Sequence, residues 1–238
     1  QVKKNINLMN KKIIKNLLNI HKVPNKVFHL IAKSYHQRKY KKNFYEDIQK
    51  NEFKKLELNR EIAQEKLDQL KNQYNFLNRS MSSEHQVLFS AFSLSSKYNF
   101  KNILEIGTFD GTNAFLLSKL FSNAKITTLD LKDEDNLFKE SYSRENNDVL
   151  KKFCRDRDEL IKKCENIKFE QKNSINLIFN DNKFDLIWID GAHGYPVVTI
   201  DIINSLRLLN KDGVIICDDV WTSKPRVQDP MYNSLATF

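Results

Sequence analysis

Glycine, cysteine and long apolar runs are all scarce in this sequence of 238 residues. The five glycines all lie between Gly107 and Gly213, so positions that need an unusual backbone conformation are confined to that part of the chain. The three cysteines form no C-x-x-C pair, which argues against a zinc site and favours a reducing compartment. No apolar run approaches the roughly 18 residues of a membrane-spanning helix.

The start of the sequence also lacks the apolar segment of a secretory signal peptide. Together with the unpaired cysteines, this absence predicts a cytoplasmic protein without a transmembrane segment. The hydrophobic content of 40% is typical of a globular chain.

Acidic residues are scarce in the first third of the chain. Residues 1–79 contain 19 Lys/Arg and 7 Asp/Glu, a net charge of +12, whereas residues 80–238 contain 20 and 23, a net charge of −3, and the sum is +9. A basic arm of this kind could contact nucleic acid, an anionic membrane surface or an acidic partner. A general compositional bias toward Lys and Asn would produce the same excess.

Residues 1–80 are predicted to form a basic helical extension, and residues 81–238 a separate domain. Residues 46–77 contain no Gly or Pro, and their apolar residues recur in a heptad-like pattern that predicts one long helix. The recurring positions are Leu56, Ala63, Leu70 and Leu77. The same pattern would allow a homo-oligomer through the N-terminal helices, although Arg60 at a seam position argues against a long coiled coil.

The most informative stretch is Asn102-Ile-Leu-Glu-Ile-Gly-Thr-Phe-Asp-Gly-Thr-Asn113. A short apolar strand passes through a glycine-bearing turn into an apolar helix, which is the start of a βα unit. Gly107 and Gly111 allow the backbone to turn sharply and to approach a ligand, and the following helix offers unpaired N–H groups. An ordinary tight connection has the same appearance, so this stretch alone leaves both interpretations open.

A second strand, residues 124–130, ends in Asp130, which lies 19 residues after Gly111. A carboxylate at this place in a Rossmann-like sheet can accept hydrogen bonds from both hydroxyls of a ribose. Together, the glycine loop and Asp130 predict a cofactor that contains a nucleoside.

Two further apolar runs end in carboxylates. Residues 184–190 end in Asp190, and residues 214–219 end in Asp218 and Asp219. Both runs are typical of central parallel strands that are buried on both faces, so their carboxyl ends should meet at one edge of the sheet. Three like charges would repel one another there. A divalent cation with oxygen ligands, such as Mg²⁺, Ca²⁺ or Mn²⁺, would stabilise them.

The order E-x-G-x-x-x-G from Glu105 to Gly111 resembles the first motif of the S-adenosylmethionine-dependent methyltransferases with a Rossmann-like core (class I). D-G-A-H from Asp190 and the D-D pair at 218–219 resemble the metal-dependent O-methyltransferases of the catechol and antibiotic-sugar types. This resemblance covers roughly residues 81–222. It implies an α/β fold with a doubly wound, mostly parallel sheet, and it leads us to expect that the last strands of that sheet are missing from this chain.

The resemblance also implies roles for particular residues. S-adenosylmethionine would be bound by a set of residues from four strand ends: Glu105, Gly107, Thr108, Phe109, Gly111, Asn113, Asp130, Ser174 and Asp190. Mg²⁺ or another divalent cation would be held by Asp190, Asp218 and Asp219, and the catalytic residues would be His193, as general base, and Asp190.

Simpler structural roles remain open for several of these residues. Ser174 could instead be a helix N-cap. His193 could be a helix-entry residue bonded to a nearby carboxylate, and Asp218 and Asp219 could be one cap and one solvated loop acid.

The expected function is the metal-assisted O-methylation of a hydroxyl on a small molecule or sugar. His193 occupies the position of the sugar-type base, and the lysine of the catechol type is absent nearby, which favours a sugar-like or aliphatic hydroxyl. One alternative is a nucleic-acid methyltransferase guided by the basic arm. It is disfavoured because the chain lacks an N/D-P-P-Y/F motif and an aromatic-rich RNA-binding module. The other alternative is a non-catalytic interaction module.

Overall fold

A computed structural model of the chain describes residues 42–79, 84–140, 144 and 146–220. The predicted helices before residue 42 lie outside these described residues. The chain divides between Leu56 and Glu57 into two compact units, which are considered separately below.

A break interrupts the segment that was predicted to form one long helix, and that prediction is wrong. Helix α1 (Lys42–Lys55) ends before the break, and helix α2 (Arg60–Gln73) begins after it. Glu57 adopts a φ of 61°, which is unfavourable for a residue with a side chain and incompatible with a continuous helix. Asn59 then caps α2, because its side chain accepts a hydrogen bond of 3.1 Å from the backbone N–H of Ile62.

The second unit alternates helices and strands. After α2 it contains, in chain order, a 3₁₀ turn (Asn75–Arg79), α3 (Glu84–Leu94), β1 (Asn102–Ile106), α4 (Thr112–Leu120), β2 (Lys125–Asp130), α5 (Asn136–Glu140), α6 (Asn147–Ile161), β3 (Ile167–Gln171), a second 3₁₀ turn (Ser174–Phe179), β4 (Phe184–Ile189), α7 (Val197–Leu208) and β5 (Leu209–Cys217). Within the described ranges, every helix is too short or too polar to cross a lipid bilayer.

The five strands form one parallel sheet in the order β3-β2-β1-β4-β5. The carboxyl ends of the strands lie side by side, since Ile106 of β1 pairs with both Leu129 of β2 and Ile189 of β4. The strand order reverses direction between β1 and β4, and a crevice for ligands forms at such a reversal in open α/β sheets. The predicted Rossmann-like α/β fold is therefore confirmed.

The two central strands supply most of the core of the sheet. All residues of β1 after Asn102 are buried, as are five of the six residues of β4, including Trp188. These strands are apolar on both faces because helices cover both sides of the sheet. The exception in β1 is Glu105, a charged residue with no exposed surface.

Helix α2 packs on helix α3. Ala63, Leu67 and Leu70 form the buried face of α2, and the Ser90 hydroxyl of α3 donates a 2.8 Å hydrogen bond to the carbonyl oxygen of Ala63. Helix α2 belongs to the extension that was predicted to end at residue 80, and α3 belongs to the domain predicted to follow it. These two helices therefore pack together across the predicted domain boundary at residue 80, which stays a prediction.

Replacing Leu67 with Ala should lower the free energy of unfolding of the second unit by about 2–5 kcal/mol, because the buried side chain leaves a cavity between α2 and α3. The matched control is Ile62→Ala on the same helix, where the side chain is half exposed and the expected change is within about 0.5 kcal/mol. Urea unfolding measures both values. Equal effects of the two substitutions would contradict the packing of α2 as part of the folded unit.

Candidate functional site

A buried hydrogen-bond network lies beneath the glycine loop. The Glu105 carboxylate accepts a 2.7 Å bond from the Asn113 side-chain amide and a 2.5 Å bond from the Thr128 hydroxyl. The Thr128 hydroxyl is also 2.6 Å from that of Thr108. Burial raises the pKa of Glu105 to about 7, although both hydrogen bonds favour its charged form. The network joins β1, β2, the loop and α4, and it leaves Glu105 and the Thr108 hydroxyl engaged within the protein.

Gly107 is the point where the loop after β1 meets the loop after β4. Its φ of 103° is a conformation that glycine adopts readily. A Cβ atom at this position would lie 2.2 Å from the carbonyl oxygen of Asp190. The two loops are also joined by a 2.8 Å hydrogen bond from the Asp190 N–H to the carbonyl oxygen of Ile106. Only glycine fits here, so the loop of the predicted cofactor site directly contacts a predicted catalytic residue.

Asp130 lies beside the same loop. Its two carboxyl oxygens accept hydrogen bonds of 2.8 Å from the backbone N–H groups of Phe109 and Leu131. Burial raises the pKa of Asp130, and these two hydrogen bonds and the charges of Arg144 and Arg157 oppose the shift. Each oxygen retains a further acceptor position, which suits the hydroxyls of a ribose.

One buried acceptor in the loop region has no donor. Asn113 lies in the first turn of α4, and its side-chain oxygen is buried without a hydrogen-bond partner in the described part of the protein. An unsatisfied buried acceptor is costly, and a ligand that donates a hydrogen bond would remove that cost. The residues therefore fit S-adenosylmethionine, which carries a ribose diol and an ammonium group.

The structure brings together the four residues predicted at the ends of β4 and β5. The His193 Nε2 atom is 3.7 Å from a carboxyl oxygen of Asp190 and 3.8 Å from one of Asp219. Burial and the neighbouring charge of Asp218 raise the pKa of Asp190 to about 8. Burial also raises the pKa of Asp219. His193 opposes this shift, and the charge of Asp218 adds to it. The result is a crowded, mostly anionic group beside a buried histidine.

The arrangement does not by itself define a metal centre. Among the residues with described positions, no group of three or more His, Cys, Asp or Glu side chains is placed to hold a metal ion. The predicted Mg²⁺ site at Asp190, Asp218 and Asp219 therefore stays a prediction. His193, in contrast, lies close to two carboxylates, as its interpretation as a helix-entry residue beside an acid requires.

Ser174 begins the second 3₁₀ turn, and its interpretation as an N-cap is wrong. The cap is Asn173, whose side-chain oxygen accepts a 3.0 Å bond from the N–H of Ile175. Ser174 instead lies near Asp201, a buried acid in α7 that was not among the predicted site residues. Burial raises the pKa of Asp201 to about 6, and the nearby Ser174 side chain opposes the shift. The sequence did contain one sign of this buried acid, because Asp201 is the single acid in the mostly apolar segment Val197–Leu208.

The fold and the site together define a class of protein. A parallel Rossmann-like sheet with a glycine loop after β1 and an acid after β2 is the core of the class I methyltransferases, which is the resemblance noted in the sequence. Residues 104–220, just under half of the chain, match the model of a family described as "Methyltransferase domain". The resemblance of this part of the chain to the S-adenosylmethionine-dependent methyltransferases of class I is therefore confirmed.

Several solved structures are similar at low identity. The S-adenosylhomocysteine-bound methyltransferase PaMTH1 of Podospora anserina is 19% identical over 76% of this chain and 71% of its own, with a TM-score of 0.44. The O-methyltransferase TomG of Streptomyces achromogenes is 15% identical over 65% and 64%, with a TM-score of 0.43. The ribosomal protein L11 methylase of Lactobacillus delbrueckii subsp. bulgaricus is 19% identical over 58% and 61%, with a TM-score of 0.39.

The search of curated proteins gave no match. The structural similarities are too weak to identify the methyl acceptor, so the chemistry has to be argued from the residues of the site.

Replacing Glu105 with Gln should change how stability depends on pH. The folded-state pKa of about 7 exceeds the ordinary value of 4.5, so ionisation of Glu105 destabilises the wild type by up to about 3 kcal/mol as pH rises from 4.5 to 7. Gln cannot ionise, and the variant should lose this part of the decline. Urea unfolding at several pH values measures the free energy of unfolding of both proteins. The difference between variant and wild type cancels the contributions of Asp190 and Asp201 and leaves that of Glu105. A difference that does not vary with pH would contradict the raised pKa.

Proposed function

We propose that this protein is an S-adenosylmethionine-dependent methyltransferase that methylates a hydroxyl group of a small molecule or sugar with the help of a divalent cation. The observation that carries the proposal is the contact between Gly107 and Asp190, which joins the cofactor loop to the acid and histidine group at the ends of β4 and β5. Residues of the loop would hold the methyl donor at the same edge of the sheet at which His193 lies.

The cofactor would be held by residues from the ends of β1, β2 and β4. Asp130 would accept hydrogen bonds from the ribose hydroxyls, and the open acceptor of Asn113 would bind the ammonium group. Because Glu105 is fully buried, we assign it a positioning role, in which it fixes Asn113 rather than contacting the ligand. S-adenosylmethionine, when bound, supplies the electrophilic methyl group.

His193 would act as the general base. Methyl transfer to a hydroxyl forms a carbon–oxygen bond and breaks a carbon–sulfur bond, and the hydroxyl proton must leave. The His193 ring lies near Asp190 and Asp219, and both carboxylates would stabilise the imidazolium that forms when it accepts this proton. The products are the methyl ether and S-adenosylhomocysteine, and His193 returns its proton to solvent.

The electrostatics of the acid group support a bound cation. The charge of Asp218 raises the cost of ionising both Asp190 and Asp219, and a divalent cation with oxygen ligands would offset that repulsion. A cation bound there would lower the pKa of a coordinated acceptor hydroxyl and help to orient it. This argument favours an acceptor that offers a hydroxyl group.

S-adenosylhomocysteine should raise the melting temperature of the wild-type protein, with a stabilisation of about 2.7 kcal/mol at a ligand concentration near 100 times Kd. Asp130→Ala should remove most of this shift, because it deletes the ribose acceptor and the partner of the Phe109 N–H. Asp181→Ala is the control, since that side chain is fully exposed. Differential scanning fluorimetry measures all three proteins. A wild type that shows no shift would contradict the proposal and favour a non-catalytic module.

Replacing Asp218 and Asp219 together with Asn should lower the affinity for Mn²⁺ by about 100-fold or more, because two anionic ligands are lost. Asp212→Asn, near the other end of β5, is the matched control and should bind Mn²⁺ like the wild type. Calorimetry measures Mn²⁺ binding, and methyl transfer to catechol and sugar acceptors is followed with and without a chelator. Transfer that persists in the double variant and in the chelator would refute the role of the metal but not the methyltransferase activity.

A further inference from the structure

Helix α7 carries a buried acid whose carboxylate has no donor. Asp201 is 1% exposed, and neither of its carboxyl oxygens has a hydrogen-bond partner within the described part of the protein. It shares the buried face of α7 with Val198 and Leu208, which belong to the apolar core beneath the helix. A buried carboxylate without a donor is costly. A ligand that donates a hydrogen bond to Asp201 would offset this cost.

The Asp201 carboxylate faces the loop after β4. A Cβ atom at Gly191 would lie 3.9 Å from Oδ2 of Asp201 and 3.7 Å from the carbonyl oxygen of Ile106. The backbone nitrogen of Gly191 is in turn 2.9 Å from the place of a Cβ atom at Gly107. Gly191 is therefore close to both the glycine loop and the Asp201 carboxylate, at the point where the strand order reverses. Because residue 191 has no side chain, this loop does not fill the space beside the carboxylate.

The start of the 3₁₀ turn after β3 lies beside the same part of α7. Asn204 is three residues after Asp201 on the buried face of the helix, and its side-chain amide donates a 3.4 Å hydrogen bond to the carbonyl oxygen of Ser174. Helix α7 follows β4 and runs away from the carboxyl edge of the sheet, so Asp201 is nearer to that edge than Asn204 is. Asp201 thus lies near the loops after β3 and β4, at the edge where the cofactor is proposed to bind.

S-adenosylmethionine carries three kinds of hydrogen-bond donor. The proposed function assigns Asp130 to the ribose hydroxyls and Asn113 to the ammonium group, and it assigns no acceptor to the amino group of the adenine. A carboxylate accepts a hydrogen bond more strongly than a neutral group does. The remaining donor of the ligand and the unpartnered acceptor of the protein therefore have complementary chemistry.

We propose that Asp201 is a specificity residue of the cofactor site, whose carboxylate accepts a hydrogen bond from the adenine amino group. The inference rests on the proposed function, because it assigns an acceptor for S-adenosylmethionine in the same crevice. A base without the amino group leaves the buried carboxylate unpaired, and the site therefore discriminates against such a base.

The test compares the affinity for S-adenosylhomocysteine with that for its 6-deamino analogue, in which a hydrogen atom replaces the adenine amino group. Calorimetry measures both at about pH 8, where the Asp201 carboxyl is ionised. The wild type should bind the analogue about 10- to 100-fold more weakly, as expected for the loss of a hydrogen bond to a charged group. Asp201→Ala removes the acceptor, so it should bind the two ligands with nearly equal affinity. Asp201→Asn keeps a neutral acceptor of similar size and should give an intermediate ratio.

Asp181→Ala is the matched control, because Asp181 is a fully exposed acid and should leave the ratio of the two affinities unchanged. Gly191→Ala is a second variant. Its added methyl group would meet only ordinary contacts, of 3.6 Å or more, and it would partly cover the Asp201 carboxylate, so the ratio should fall. This variant also tests the proposal if Asp201→Ala does not fold, which thermal unfolding would show.

A ratio in Asp201→Ala that equals the wild-type ratio, whatever the absolute affinities, would overturn the proposal and leave Asp201 with a structural role only. An unchanged ratio in Gly191→Ala, or a wild type that binds both ligands equally well, would also overturn it. A wild type that binds neither ligand would instead overturn the proposed function itself.

Discussion

The contact between Gly107 and the backbone of Asp190 is the constraint on which the rest of the site depends. The two residues follow β1 and β4, the adjacent strands between which the order of the sheet reverses. Because the carbonyl of Asp190 occupies the space of a Cβ atom at Gly107, the two loops approach more closely than any other residue would allow. This approach places the glycine loop directly beside Asp190, the first of the acids after β4 and β5.

Much of this arrangement could be predicted from local sequence because its signals are local. Apolar runs predicted the strands, and residues at strand ends meet at one edge of any parallel sheet. The break at Glu57 was missed because neither Gly nor Pro marks it. Thr128, Arg144 and Asp201 were missed because their importance comes from burial and from partners that lie far away in sequence, which hydrophobic periodicity does not register.

Helix α6 shows that charged residues close together in sequence can have very different environments. Arg155 and Arg157 are two residues apart, and the first is largely exposed whereas the second is completely buried. The sequence around them is highly charged, as on a solvated helix, and the buried Arg157 pairs with Asp133, 24 residues earlier. Only the fold distinguishes a surface arginine from a buried one whose charge acts on Asp130.

The charges at the carboxyl edge of the sheet are separated by sign. Arginines act on Asp130 beside β2, whereas Asp190, Asp218 and Asp219 gather after β4 and β5. In the proposed reaction a sulfonium loses its positive charge as the methyl group moves. An anionic group near the sulfonium favours its binding but also stabilises the charge that the reaction removes. A cation bound among these acids would reduce that unwanted ground-state stabilisation, which gives the acid group and the metal a joint purpose in the proposed mechanism.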